Sequence, residues 1–169
     1  VISLELAQEF PLISFIGFDI SKVAINVATH NKRQLNINNL DIVYGDFFEV
    51  IESYISDNLC LMVSNPPYVS DDEYQLLDSY VLKEPKEALV AGNDGLAIIL
   101  DSLNFCINHS FIYVAEIGFN QHEKLTKIFP NELIYFLNDY SGYKRFIVYI
   151  PKLFKWCDDF GEFLIHLNK

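Results

Sequence analysis

A mostly parallel, doubly wound α/β sheet that ends in an antiparallel β hairpin is the fold class this sequence predicts. Three observations predict it. Short apolar runs of strand length alternate with segments of helical period through residue 150. Polar or proline-bearing turns separate them, with no repeat, low-complexity run or linker. The last two apolar runs are joined directly by the turn-forming stretch Asn138-Asp139-Tyr140-Ser141-Gly142, which fits an antiparallel connection.

Taken in order, residues 1–10 read as the end of a helix, with Ile2, Leu6 and Phe10 on one face and Pro11 as the stop. A strand over 13–18 follows. Ser21 is placed to cap the next helix, in which Ala24, Val27, Ala28, Asn31 and Leu35 share one face at the i, i+3, i+4, i+7 spacing. Strands are predicted over 40–44 and 59–64, with a short helix over 47–55 between them. Residues 71–82 read as helix or loop. Asn93 or Asp94 is placed to cap a longer helix that points Leu96, Ile99, Leu100, Leu103 and Ile107 one way. A strand over 111–117, a helix over 120–129 closed by Pro130, and strands over 133–137 and 144–150 complete a domain spanning 1–150. Residues 151–169 read as a helical or irregular tail, with Trp156 and Phe160 expected to cover the domain edge.

The 169 residues suit one domain, and 51% hydrophobic content is ample for its core. A net charge of −11 disfavours a broad nucleic-acid surface, because such affinity rests on Lys and Arg neutralising phosphates. No apolar run approaches a membrane span and no signal-peptide layout opens the chain, so a cytoplasmic location is expected. The chain begins with Val1 rather than Met, as a fragment does. Cys60, Cys106 and Cys157 lack metal-ligand spacing and read as reduced thiols. His30, His109, His122 and His166 show no triad or metal pattern, so no metal site is expected.

Val63-Ser64-Asn65-Pro66-Pro67-Tyr68 carries the chemistry. An apolar run enters it and two prolines forbid further ladder pairing, which sets Asn65 at the carboxyl end of a strand, the edge where open α/β sheets bind ligands. A planar amine or amide nitrogen has a delocalised lone pair. To attack a methyl group it needs acceptors that hold its hydrogens while the lone pair localises. The Asn65 side-chain oxygen and the Pro66 carbonyl suit that role, and Pro66 offers no competing N–H. Tyr68 supplies a face for the planar group. Such contacts tighten as charge develops on nitrogen. Asp19 closes the strand over 13–18, read as a second strand, where nucleotide-binding α/β folds place a carboxylate for ribose hydroxyls, about 20 residues after a glycine-rich loop; that count puts the loop at or before residue 1. Asp46 and Phe47 repeat the arrangement one strand later, with a carboxylate and a ring for an adenine edge and face. Both aspartates also have a plain structural reading, as turn or N-cap residues.

Phe18-Asp19-Ile20-Ser21, Gly45-Asp46-Phe47 and Ser64-Asn65-Pro66-Pro67-Tyr68 together resemble the amino-methyltransferases that use S-adenosylmethionine. More narrowly, the chain resembles the peptide chain release factor N5-glutamine methyltransferases, the HemK/PrmC family. Glu84-Pro85-Lys86-Glu87-Ala88-Leu89, Gly92-Asn93-Asp94-Gly95-Leu96, Glu116-Ile117-Gly118 with Gln121, and Asp139-Tyr140-Ser141-Gly142 with Arg145 carry that closer match. The resemblance implies a Rossmann-like, seven-stranded class I methyltransferase fold whose first strand, glycine-rich loop and N-terminal helical domain are missing from these residues. It further implies that the 169 residues alone fold loosely and bind cofactor poorly. Asp19 would hold the cofactor ribose, Asp46 and Phe47 the adenine, and Asn65 both cofactor and substrate. Asn65, Pro66, Pro67 and Tyr68 would clamp the glutamine amide of a release factor's Gly-Gly-Gln loop, with Asn65, Pro66 and Tyr68 catalytic, no metal, and a monomeric enzyme that contacts neither nucleic acid nor membrane. Glu116 reads as a structural hydrogen-bonding residue. The family's glycine pair before the Asn93 position is Ala91-Gly92 here, a change of local turn packing. Two readings compete: an amino-methyltransferase of adenine N6 or cytosine N4 in nucleic acid, and an inactive remnant that serves at most as a binding module.

Overall fold

The computed structural model describes residues 1–55 and 61–153, which fall into two compact units, Val1–Asn58 and Leu59–Lys169. In the first, α1 (Ile2–Glu9), β1 (Phe15–Asp19), α2 (Lys22–Gln34), β2 (Leu40–Tyr44) and α3 (Phe47–Val50) follow in order, and α3 runs on into a 3₁₀ turn, Ile51–Ser53. β1 and β2 pair in parallel from Phe15 opposite Leu40 to Asp19 opposite Tyr44. The parallel pairing follows from the helical crossover between them. Leu4 and Ala7 of α1 bury against Ile37 and Leu40, with Phe15 and Ile42 at the margin. The buried face of α1 is therefore Leu4 and Ala7, while Ile2 and Phe10 remain exposed. Asn39 fastens the end of that helix: its Nδ2 donates to the carbonyls of Ala7, Phe10 and Ile13 at 3.0, 3.1 and 2.8 Å.

Ser21 caps α2 as its sequence position predicts, its Oγ accepting from the Ala24 N–H at 3.3 Å. The packing stripe of α2 differs from the one expected. Ala24 and Ala28 are half-buried, but Ile25, Thr29 and Lys32 share that face, and Val27 and Leu35 are exposed. The spacing alone fits several overlapping stripes, and contact with β1, β2 and α1 selects the one turned by a residue.

The second unit holds β3 (Leu61–Ser64), α4 (Asp71–Tyr74), 3₁₀ turns at Val81–Lys83 and Lys86–Ala88, α5 (Ala97–His109), β4 (Ile112–Glu116), α6 (Gln121–Ile128), β5 (Ile134–Asn138) and β6 (Lys144–Tyr149). Its sheet has the order β3-β4-β6-β5. β3 and β4 are parallel, and β6 runs antiparallel to both of its neighbours. Only β6 is reversed, so the mixed sheet keeps the mostly parallel character with the antiparallel hairpin at its end. The hairpin's second strand lies inside the sheet, because Ile147, Val148, Tyr149 and Ile150 form a continuous apolar run with both faces to bury. β5 takes the edge and stays only partly covered.

The turn between them follows from its residues. Asp139 Oδ1 accepts the N–H groups of Ser141 and Tyr143 at 2.8 and 3.0 Å, and Gly142 takes the positive φ of +83° that a side chain resists. Ile99, Leu103 and Cys106 of α5, Tyr113 and Ala115 of β4, and Leu125 of α6 are fully buried, each large aliphatic side chain contributing about 1.5 to 3 kcal/mol. Burial pushes the Cys106 thiol up to about 12, which keeps it an inert thiol. Neither Asn93 nor Asp94 caps α5: Leu96 occupies the N-cap position without a side-chain bond, and Asp94 Oδ1 instead accepts the Leu96 N–H at 3.1 Å in the turn that precedes the helix. Among the described residues no helix is long and apolar enough to cross a membrane. Leu59, Cys60, Cys157, His166 and the expected tail cover by Trp156 and Phe160 lie outside the described residues.

Candidate active site

In the first unit the two aspartates end neighbouring parallel strands. Asp19 is exposed, and its Oδ1 accepts the Ser21 N–H at 2.8 Å while its carbonyl accepts the Gly45 N–H at 3.1 Å. Asp46 caps α3, its Oδ1 accepting from the Phe48 N–H at 2.9 Å. The structural readings of both aspartates are thus correct, and they leave the ligand readings open: one oxygen of each carboxylate holds a turn, and both side chains face solvent. Phe47 belongs to an aromatic group, 5.4 Å edge-to-face from Phe18 and 5.2 Å from Phe48, with Tyr54 5.7 Å from Phe18. An exposed carboxylate suited to vicinal hydroxyls, with a half-buried ring beside a second carboxylate one strand over, fits an adenosine.

In the second unit β3 ends at Ser64, whose Oγ lies 3.0 Å from the buried Tyr113 hydroxyl of β4. Desolvation pushes that phenol up to about 12, against the pull of its Ser64 hydrogen bond, so it stays neutral. Asn65 follows and is exposed, and Pro66 is buried. Among the described residues the Asn65 side chain and the Pro66 carbonyl have no hydrogen-bond partner. Two acceptor oxygens therefore stand uncommitted at the end of β3.

Tyr68 is fixed at both ends. Its carbonyl accepts from Gln121 Nε2 at 3.0 Å; the same nitrogen donates to the Gly95 carbonyl at 3.0 Å, and Gln121 Oε1 accepts from the Gly118 N–H at 2.8 Å. One buried amide thus joins the loops after β3, before α5 and after β4. Gly95 has to be glycine on two counts, a φ of +72° and a Tyr68 carbonyl oxygen where its Cβ would stand. At the other end the Tyr68 hydroxyl donates to Glu116 Oε1 at 3.0 Å and accepts from Arg145 Nη2 at 3.0 Å, while Arg145 pairs with Glu116 at 2.7 Å. Burial and the Glu116 carboxylate raise the Tyr68 phenol above its ordinary value.

Beyond Tyr68 the chain makes a parallel bridge, Val69 with Val90, and Ser70 and Glu73 form a reciprocal capping box at the start of α4. A cleft of about 590 Å³ opens beside this loop, with Tyr68, Glu73, Asp94, Phe119, Lys124 and Arg145 on its walls.

The sequence singled out Asn65, Pro66, Pro67 and Tyr68, and the structure sets them consecutively on this loop. It gave Glu116 only a generic hydrogen bond, and gave Gln121 and Arg145 no role beyond the family match. One signal for the pair was present: Glu116 and Arg145 are opposite charges, one closing an apolar strand and the other near the start of another. Only the placement of β6 beside β4 brings them together.

Residues 1–92 match a family model described as a methyltransferase domain. The chain is 33% identical over 132 residues to the release factor glutamine methyltransferase of Aliivibrio fischeri, an alignment covering 76% of this chain and 45% of that protein. It is 35% identical over 155 residues to the Lactococcus lactis protein of the same name, covering 86% and 55%. To a bifunctional methyltransferase of Rickettsia prowazekii it is 32% identical over 158 residues, covering 89% and 30%. The chain thus spans about half the length of the release factor methyltransferases it matches. A solved structure titled delta-N METTL16 MTase domain superposes with a TM-score of 0.54 at 12% identity, over 82% of this chain and 62% of that one, which supports the fold. With a family model covering more than half of it, the chain belongs to the methyltransferase domain family, whose Rossmann-like members take their methyl group from S-adenosylmethionine.

Proposed function

We propose that this chain carries the catalytic residues of a release factor glutamine methyltransferase, acting on the side-chain amide nitrogen of the glutamine in a Gly-Gly-Gln loop. One observation carries the reading. At the end of β3 the Asn65 side-chain oxygen and the Pro66 carbonyl are two uncommitted acceptors, followed two residues later by a tyrosine held at both ends. A primary amide presents two N–H donors, which is what two such acceptors can take. Holding both hydrogens draws the nitrogen toward pyramidal geometry and exposes its lone pair, and the Tyr68 ring supports the amide plane. Bound S-adenosylmethionine supplies a methyl group activated by its positive sulfur. In the first unit Asp19 would hold the ribose hydroxyls of that cofactor, with Asp46 and Phe47 at its adenine.

The names of the aligned relatives support a release factor as substrate. The net charge of −11 supports a protein acceptor over nucleic acid. In this reading residues 1–150 serve as the methyltransferase domain of a monomeric cytoplasmic enzyme, and residues 151–169 as its tail. Incubating the full-length gene product with isotope-labelled S-adenosylmethionine and a release factor tests the reading. Label is expected on the wild-type factor and absent once its acceptor glutamine is replaced by alanine. Label that survives the replacement, or label on oligonucleotides instead, overturns it.

A further inference from the structure

The Tyr68 hydroxyl has a single proton, and the geometry spends it on Glu116 at 3.0 Å. Arg145 Nη2 takes one of its lone pairs at 3.0 Å. The hydroxyl is therefore engaged as donor and as acceptor before any substrate arrives, and what Tyr68 has left for a substrate is its ring. The Arg145 guanidinium carbon stands over that ring, 5.2 Å from its centroid. Arg145 and Glu116 are themselves about three-quarters buried, their side chains 24% and 26% exposed, and 2.7 Å apart. Two strand residues lying 48 and 77 positions from Tyr68 thus fix the orientation of one loop side chain.

We propose that Arg145 and Glu116 are positioning residues for methyl transfer: together they lock the Tyr68 ring, with Arg145 against one face, so that the opposite face alone receives the acceptor amide. This rests on the amide-methyltransferase reading above. Neither residue touches the reacting atoms. Both act through Tyr68, and the ring they hold keeps the amide aligned in the way that small misplacements are known to spoil.

The phenol's own environment agrees with the geometry, since burial and the neighbouring carboxylate both keep it protonated and able to donate to Glu116.

The test uses the full-length gene product. Arg145→Met is expected to lower kcat about 10- to 100-fold with the KM for cofactor unchanged, and Arg145→Lys, which keeps a charged donor, to recover most of the loss. Tyr68→Phe removes both hydroxyl bonds while leaving the Arg145–Glu116 pair in place, so it is expected to cost a similar factor. The double variant Tyr68→Phe with Arg145→Met is expected to be no worse than either alone, because each breaks the same linkage. Effects that multiply, or a kcat of Arg145→Met within twofold of wild type, overturn the proposal.

A second readout needs no turnover. With tyrosine labelled at the ring carbon bearing the hydroxyl, and Tyr68→Phe used to assign the signal, the Tyr68 titration midpoint is expected to rise in Arg145→Met, which removes the cation. It is expected to fall in Glu116→Gln, which removes the anion. A midpoint unmoved in both variants overturns the linkage. If wild type methylates no release factor, the functional reading falls, and this titration still decides whether Arg145 and Glu116 control Tyr68.

Discussion

The two units hold their candidate residues by different means. In Val1–Asn58 the aspartates are tied by bonds to groups two residues away, Ser21 for Asp19 and Phe48 for Asp46. In Leu59–Lys169 the partners of Tyr68 lie 48, 53 and 77 residues away. Burial follows the same division: α2 has no buried residue, whereas α5 buries Ile99, Ser102, Leu103 and Cys106. Short-range bonds leave a carboxylate oxygen free for a ligand that comes and goes. Long-range bonds would, in the proposed function, hold the acceptor site still during methyl transfer, and they need a dense core behind them.

The sharpest way to break this comparison is at the acceptor itself. Asn65→Ala is expected to reduce kcat by about 10²- to 10³-fold in single-turnover assays on a release factor, with little change in melting temperature because its side chain has no described partner. A large loss of stability instead would make Asn65 a structural residue. Next comes Gly95→Ala, which forces a Cβ onto the Tyr68 carbonyl at positive φ. A loss of about 3 kcal/mol is expected from the added strain and overpacking, read as a shift in the denaturant midpoint.

Truncation in the two units should then differ in size. Leu103→Ala, at a fully buried site, is expected to cost about 3 kcal/mol, whereas Val27→Ala, 55% exposed on α2, should stay within about 0.5 kcal/mol. Equal costs would erase the contrast between the units.

The smallest effect concerns acid. The Ser70 N–H and hydroxyl donate to the Glu73 carboxylate at 3.0 and 2.7 Å and hold it below the ordinary carboxylate range. A depressed folded value means this contribution is complete above that range and fades as pH falls through the lowered value. Melting temperatures of wild type and Glu73→Gln should therefore differ near pH 6 and converge as the pH falls below the ordinary carboxylate range. A constant gap would sever the capping box from acid stability.

What the sequence revealed follows the same line between near and far. The Ser21 cap, the Asp139 to Gly142 turn and the strand over Leu40–Tyr44 depend on residues within one turn or one strand, and all stand where the sequence puts them. Asn65 to Tyr68 was legible because two prolines end a strand wherever they fall. The α2 stripe was misread because Val27 and Ile25 fit neighbouring stripes equally well, and only packing chooses. The fastening of Tyr68 was hidden because the sequence shows Glu116, Gln121 and Arg145 as separate polar residues. Their meeting depends on β6 entering between β4 and β5.

That insertion also sets an order of events. During synthesis β3, β4 and β5 leave the ribosome before β6, yet β4 and β5 are not joined in one sheet until β6 pairs with both. The nascent sheet therefore carries an open, apolar-flanked edge on β4 until residues 144–149 emerge, a window in which a chaperone or another unfinished chain can compete for it. Arg145 arrives on that same strand, so the tyrosine is locked in the step that closes the sheet, and a chain halted before β6 exposes a sticky edge without acquiring a working site.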